Sequence, residues 1–196
     1  MPTKHLQKNQ KMFFLVLTIS ALLGAVVWHY FFTKVSNFDV QISESKNIIF
    51  NDKNPLPSTV SDIVTDFDNS YNKPILLYIY TTWCPVCSKQ LPVINEIARE
   101  FQATDLTIIT LAIDRDQDPT HLQEYLNQFG NIYFRSRYLV VREGFLEFLK
   151  KQNINYNGRV PFTALIASNG EIITKFSGSK KKEYLRDKII KELFNQ

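Results

Sequence analysis

Residues 75–87 read Ile75-Leu76-Leu77-Tyr78-Ile79-Tyr80-Thr81-Thr82-Trp83-Cys84-Pro85-Val86-Cys87. Six consecutive apolar or aromatic residues predict a strand buried on both faces of a sheet. The cysteine pair directly behind it predicts a helix whose first turn holds both thiols. Cys84, at the helix N-terminus, faces unpaired backbone N–H groups and the positive end of the helix dipole, which favour the thiolate. That makes Cys84 the nucleophile, expected to be exposed. Cys87, one turn further in and shielded, is its resolving partner. No other cysteine exists in the chain, so the pair belongs to no larger disulfide framework. The spacing suits a dithiol that cycles between reduced and oxidised forms. A purely structural disulfide here would be a weak staple, because the loop it closes is tiny. A zinc site lacks ligands: His5 and His29 lie in the N-terminal region, and His121 alone cannot complete four. No metal and no cofactor are therefore expected.

The pattern continues on both sides. Downstream, Leu91, Ile94, Ile97, Ala98 and Phe101 recur at helical spacing. Pro85 is tolerated in the first turn, whereas Pro92 in the interior predicts a kink. Thr107–Ile113 reads as a second buried strand, and Asp114, Arg115, Asp116 and Asp118 as a polar turn after it. Asp118-Pro119 opens a helix running to Phe129 and stopped by Gly130. A short strand is expected around Ile132–Phe134, followed by an Arg-rich stretch without a clear period. Glu143–Gln152 reads as a helix and Asn153–Arg159 as a polar loop. Phe162–Ala167 and Glu171–Phe176 flank Ser168-Asn169-Gly170, a hairpin signal. Gly178 leads to a terminal helix bearing Tyr184, Leu185, Ile189, Ile190 and Leu193. Upstream, Ser58 can cap a helix carrying Val60, Ile63, Val64 and Phe67, ending near Tyr71 before Lys73-Pro74. This order predicts a three-layer α/β domain with parallel strands and an antiparallel hairpin.

Met12–Phe32 contains no Asp, Glu, Lys or Arg. As a helix it would reach roughly 31 Å, close to the hydrocarbon thickness of a bilayer. Trp28, His29 and Tyr30 form an aromatic belt at its far end. Lysines precede the segment while only Lys34 closely follows, which keeps the N-terminus cytoplasmic. A cleaved signal peptide fits less well: the apolar stretch is long, and Leu23-Gly24-Ala25 is a poor cleavage site. The expected division is a cytoplasmic N-terminus at 1–11, a transmembrane anchor at 12–32, a stalk at 33–57 and an α/β domain at 58–196. Within the stalk, short strands are conceivable at Phe38–Ile42 and Ile48–Phe50. The dithiol is then exported to a compartment where disulfides form and persist. Of the net charge of +4 in this 196-residue chain, Lys4, Lys8 and Lys11 supply three. The +1 left for the rest is too little for a nucleic-acid footprint.

The element order, with Trp83-Cys84-Pro85-Val86-Cys87 behind a buried strand, resembles the thioredoxin-like superfamily. More narrowly it resembles the membrane-anchored TlpA/DsbE-type thiol–disulfide oxidoreductases of bacterial envelopes. Trp83 matches the family tryptophan before the first cysteine, and Pro92 the proline of the active-site helix. Val160-Pro161 followed by the hairpin matches the cis-proline loop, and Gly178 the glycine before the last helix. The implied fold is a three-layer thioredoxin-like domain with a central mixed β-sheet. The implied site is Cys84 and Cys87, with Trp83, Pro85, Val86, Val160 and Pro161 supporting substrate binding. The implied location is the inner membrane, single-pass, with the redox domain in the periplasm.

The implied partners are proteins with cysteines or disulfides and a membrane electron donor of the DsbD kind. Apocytochrome c thiols or metal-stress targets are the implied substrates. Two departures stand out. Tyr78 occupies the position of thioredoxin's buried Asp, and Pro-Val replaces the Gly-Pro or Pro-His found between the cysteines elsewhere. With no His beside Cys84 the pair leans towards a reductant rather than an oxidase. A disulfide-forming oxidase remains the alternative within the class. A non-catalytic protein-binding or chaperone module is the alternative outside it. A copper-delivery protein of the Sco type is disfavoured, since that family needs CxxxC and a distant His.

Overall fold

The computed structural model describes residues 54–116 and 118–194. The expected anchor at 12–32 and the short strands considered at 38–42 and 48–50 lie outside these residues. Among the described residues no helix is long and apolar enough to cross a membrane.

Eleven elements build the domain: β1 (Leu56–Ser58), α1 (Val60–Asn69), β2 (Ile75–Tyr80), α2 (Pro85–Phe101), β3 (Thr107–Ala112), α3 (Pro119–Asn127), β4 (Ser136–Leu139), α4 (Phe145–Lys151), β5 (Phe162–Ile166), β6 (Ile172–Ser177) and α5 (Lys182–Phe194). The strands form one sheet in the order β1-β4-β3-β2-β5-β6. The first four are parallel, while β5 runs antiparallel to β2 and β6 antiparallel to β5. This is a thioredoxin-like α/β fold with a mixed central sheet.

Every residue of β2 is buried, as its unbroken apolar run requires of a central strand covered on both sides. Leu76, Tyr78 and Tyr80 point into the core beneath α2, α3 and α5. Ile75, Leu77 and Ile79 point into the core beneath α1 and α4. Leu91, Ile94 and Ile97 of α2 are wholly buried; each such side chain contributes about 1.5–3 kcal/mol through removal from water. Pro92 lies inside α2, which removes one backbone donor from the helix that holds both cysteines.

Several boundaries differ from expectation. The sheet begins at Leu56, two residues ahead of the expected domain start, because β1 pairs with β4 from Leu56↔Arg137 to Ser58↔Leu139. Its three residues are too few to show a period, and Pro57 is tolerated because β1 is an edge strand. The cap of α1 is Thr59 rather than Ser58. Thr59 N–H and Oγ1 both donate to Asp62 Oδ2, at 2.7 and 2.9 Å, and Asp62 N–H donates back to Thr59 Oγ1. These bonds hold the Asp62 carboxyl below its ordinary value.

The strand expected at 132–134 is absent. The fourth parallel strand lies at Ser136–Leu139, inside the Arg-rich stretch. A charge in an interior strand hides the pattern, and here it is matched: Arg137 Nε pairs with Asp66 Oδ2 at 2.5 Å and Nη1 donates to Ser58 Oγ at 3.0 Å. The hairpin turns on Ser168-Asn169-Gly170, with Gly170 N–H donating to Ala167 O at 2.9 Å and Gly170 at φ +83°. That left-handed residue is why Asn-Gly ends in glycine here.

Candidate active site

The C-terminal end of β2 passes through Thr81, Thr82 and Trp83 into the first turn of α2, and Cys84 is the N-cap of that helix. Cys87 N–H donates to Cys84 Sγ at 3.2 Å. The sulfur therefore occupies the place where a capping oxygen normally satisfies an orphan backbone donor. On its other side Cys84 Sγ donates to Val160 O at 3.7 Å. Both cysteines are free thiols. The expected exposure of Cys84 is overturned: it is only 5% exposed, and Cys87 is 0%. The Val160 loop covers the sulfur, a long-range contact that helix position could not disclose.

Around this pair the expected supporting residues split into two groups. Trp83 is 69% and Val86 42% exposed, and Pro85 is also exposed. They form an apolar rim outside Cys84. Val160 is half-buried and Pro161 buried on the opposite side, and the Val160-Pro161 peptide is cis. Gly178, at φ +88°, donates its N–H to Pro161 O at 2.8 Å and ties this loop to the end of β6.

Beneath the pair lies a layer of tyrosines. Tyr78 Oη donates to Cys87 O at 3.2 Å. Its ring stacks on Tyr80 at 5.3 Å, and Tyr80 on Tyr125 at 6.2 Å. Tyr80 Oη bonds Ser136 Oγ at 2.7 Å, and Tyr125 Oη bonds Ser88 Oγ at 3.2 Å. Burial raises the Tyr78 phenol well above its ordinary value and pushes Tyr125 up to about 12. Burial, followed by the hydrogen bond with Cys84, pushes the Cys87 thiol up as well. Burial thus disfavours the Cys87 thiolate.

Two residues outside the expected site, Asp114 and Arg142, belong to it. Asp114, in the polar turn after β3, accepts from Thr82 N–H at 2.9 Å through Oδ1 and 3.2 Å through Oδ2. Its Oδ1 also accepts from Thr82 Oγ1 at 2.7 Å. Arg142, exposed, donates through Nη2 to Ile113 O at 2.8 Å and to Asp114 O. The contact follows from the sheet: β2 and β3 are parallel neighbours, with Tyr80 beside Ala112, so Asp114 lies beside Thr82 two residues beyond them. Arg142 carried no local signal. Among the described residues, no group of three or more His, Cys, Asp or Glu could hold a metal ion.

With that geometry in place, the whole described domain meets known proteins. Residues 51–193 match the Redoxin family. The chain belongs to the Redoxin family. Thiol-disulfide oxidoreductase ResA of Bacillus thuringiensis (strain Al Hakam) is 22% identical to this Redoxin chain over 182 residues, 92% of this chain and 95% of that protein. Thioredoxin of Mycobacterium bovis is 42% identical over 60 residues, 31% of this chain and 50% of its own. A thiol:disulfide interchange protein of Chlorobium tepidum TLS superposes with a TM-score of 0.52 at 17% identity, covering 64% of this chain and 83% of that one. The last likeness speaks for the fold alone. Family membership and the free Cys84–Cys87 pair make this Redoxin protein a thiol–disulfide oxidoreductase.

Proposed function

We propose that this protein is an envelope reductant of protein disulfides, anchored in the inner membrane by residues 12–32 with its redox domain in the periplasm. The observation that carries the reading is the Cys84 sulfur at the helix N-cap, accepting the Cys87 N–H, with the Cys87 thiol buried one turn behind it. Cys84 attacks a substrate disulfide and forms a mixed disulfide, releasing one substrate sulfur as a thiol. Cys87 then attacks Cys84 Sγ, its proton leaves with the second substrate sulfur, and the Cys84–Cys87 disulfide forms. Two electrons pass to the substrate. A membrane dithiol donor of the DsbD kind returns them.

Trp83, Pro85 and Val86 supply an apolar face for the polypeptide around the substrate cysteine. Val160 and Pro161 border it on the other side. The resemblance to DsbE-type proteins, and the relative named ResA, support cysteine-containing envelope proteins as substrates, with apocytochrome c, whose cysteines would be returned to thiols, or metal-stress targets the leading classes. The uncharged Pro85-Val86 pair supports the reducing direction, because no cation between the cysteines adds to thiolate stabilisation.

The test is a trapping experiment. Cys87→Ala in the full chain should accumulate mixed disulfides on Cys84 in membrane extracts, and the parental protein should reduce insulin. Absence of both overturns the exchange reading. A reduction potential as high as that of a disulfide-forming oxidase, about −120 mV for DsbA, would overturn the reducing direction alone.

A further inference from the structure

The segment Thr81–Cys84 has few anchors. Within the loop its backbone makes one long bond, Cys84 N–H to Thr81 O at 3.4 Å, while the Cys84 carbonyl accepts from Ser88 N–H at 3.2 Å as the first bond of α2. The Thr81 Oγ1 hydroxyl is buried with no hydrogen-bond partner among the described residues, and the Trp83 side chain is mostly in solvent. Between Thr81 and Trp83, Thr82 is held laterally, and it is held by a carboxylate; Cys84 is held further on by its own contact with Val160 O. Both Asp114 oxygens accept from its amide, and one of them also from its hydroxyl. Charge-assisted bonds of this kind are shorter and about twice as strong as neutral ones. Asp114 is fixed in turn, since the Arg142 guanidinium binds the carbonyls of Ile113 and Asp114. Ile113 N–H meanwhile donates to Tyr80 O at 2.9 Å, which closes the β2–β3 ladder beside it.

We propose that Asp114 is the positioning residue of the redox loop: seated by Arg142, it fixes Thr82 and thereby the place from which the Cys84 sulfur attacks. This rests on the reading of Cys84 as nucleophile. Attack on a disulfide needs the sulfur in line with the S–S bond, so a loop free to shift costs rate in the exchange step. Pro85 and Val86 lie beyond the loop, in the first turn of α2, so substrate docking on that exposed surface is left intact. Asp114 touches no reacting atom; it acts through Thr82.

The predicted signature is a split between kcat and KM. Asp114→Ala should lower kcat for insulin reduction roughly ten- to a hundredfold, with KM unchanged. Asp114→Asn keeps an acceptor oxygen for Thr82 and should restore kcat to within about threefold of the parent. Thr82→Val removes only the hydroxyl bond and should fall between them. Amide hydrogen exchange at Thr82 should accelerate in Asp114→Ala. Parental kcat in Asp114→Ala with accelerated Thr82 exchange overturns the proposal. So does a KM rise with unchanged kcat, or an Asp114→Asn as slow as Asp114→Ala. If Asp114→Ala does not unfold cooperatively, Thr82→Val decides, and parental kcat there overturns the proposal. A parental protein that cannot reduce insulin, together with a Cys87→Ala that traps no mixed disulfide, sinks the exchange reading and this proposal with it. An active parent with an indifferent Asp114→Ala sinks this proposal only.

Discussion

Ile75–Phe101 and Ser136–Val160 meet at the redox site, where Cys84 Sγ donates to Val160 O, and beneath it, where Tyr80 Oη bonds Ser136 Oγ, yet they are built in opposite ways. The first stretch is held by its own local pattern: an apolar strand, a cap, and a helix whose buried face repeats every three or four residues. The second is held by partners far away in sequence. Arg137 leans on Asp66 and Ser58, and Arg142 on the end of β3. The contrast teaches that the reacting atoms are encoded locally while their cover and orientation are borrowed from elsewhere in the fold.

That contrast can be broken by substitution. Cys84→Ser should abolish insulin reduction while the urea midpoint stays close to the parental one; a large stability loss would mean that the sulfur is also structural. Ile94→Ala in the local stretch should cost about 2–5 kcal/mol of unfolding free energy, because it opens a cavity in a fully buried layer. A loss below that range would show that α2 is less dependent on its own apolar face than its pattern implies. Arg137→Ala in the borrowed stretch should cost about 2 kcal/mol by leaving Asp66 and Ser58 without their partner, with kcat little changed. Urea unfolding measures the first quantity and insulin turnover the second.

Alkaline pH sharpens the same comparison at a single atom. Burial raises the Cys87 thiol in the folded state, so above an unfolded-state value of about 8.5 the unfolded chain releases a proton that the native chain keeps. The stability contributed by that thiol is therefore complete below pH about 8.5 and is lost as pH rises towards the folded value, by at most about 1.4 kcal/mol per pH unit. Denaturant unfolding of the reduced protein at pH 8, 9 and 10 should show this slope, and the oxidised protein should lack the Cys87 part of it. An identical slope in both forms would remove the thiol from the account. The smallest effect is expected of Tyr78→Phe, which keeps the ring stack and loses the bond to Cys87 O. About 1 kcal/mol of stability is at stake there, again read from urea unfolding.

Most of the strand and helix order was legible, because buried strands and amphipathic helices leave periodic or unbroken apolar patterns. Ile75–Tyr80 is found where its run of six predicts. Asp118 caps α3 as the Asp-Pro signal predicts, with its carboxylate accepting the Thr120 N–H at 2.8 Å. The strand at Ser136–Leu139 was hidden because its arginine is neutralised by an aspartate 71 residues away. Asp114 read as surface for a related reason: its partner, Thr82, lies 32 residues back.

By itself the sequence determined that a dithiol lies at the junction of a buried strand and a helix, and that Cys84 precedes Cys87 by one turn. Those are local facts, set by side-chain volume, polarity and the three-residue spacing. Only the tertiary structure decided that Cys84 is covered by Val160, that Tyr78 caps the Cys87 carbonyl, and that Asp114 holds Thr82. The first and the last join residues 76 and 32 positions apart, brought together only when the strands align in the sheet, and the Tyr78 contact spans nine residues across the β2–α2 turn. The physical reason is that apolar burial repeats along a chain and can be read from it, whereas a hydrogen bond between distant residues leaves no period.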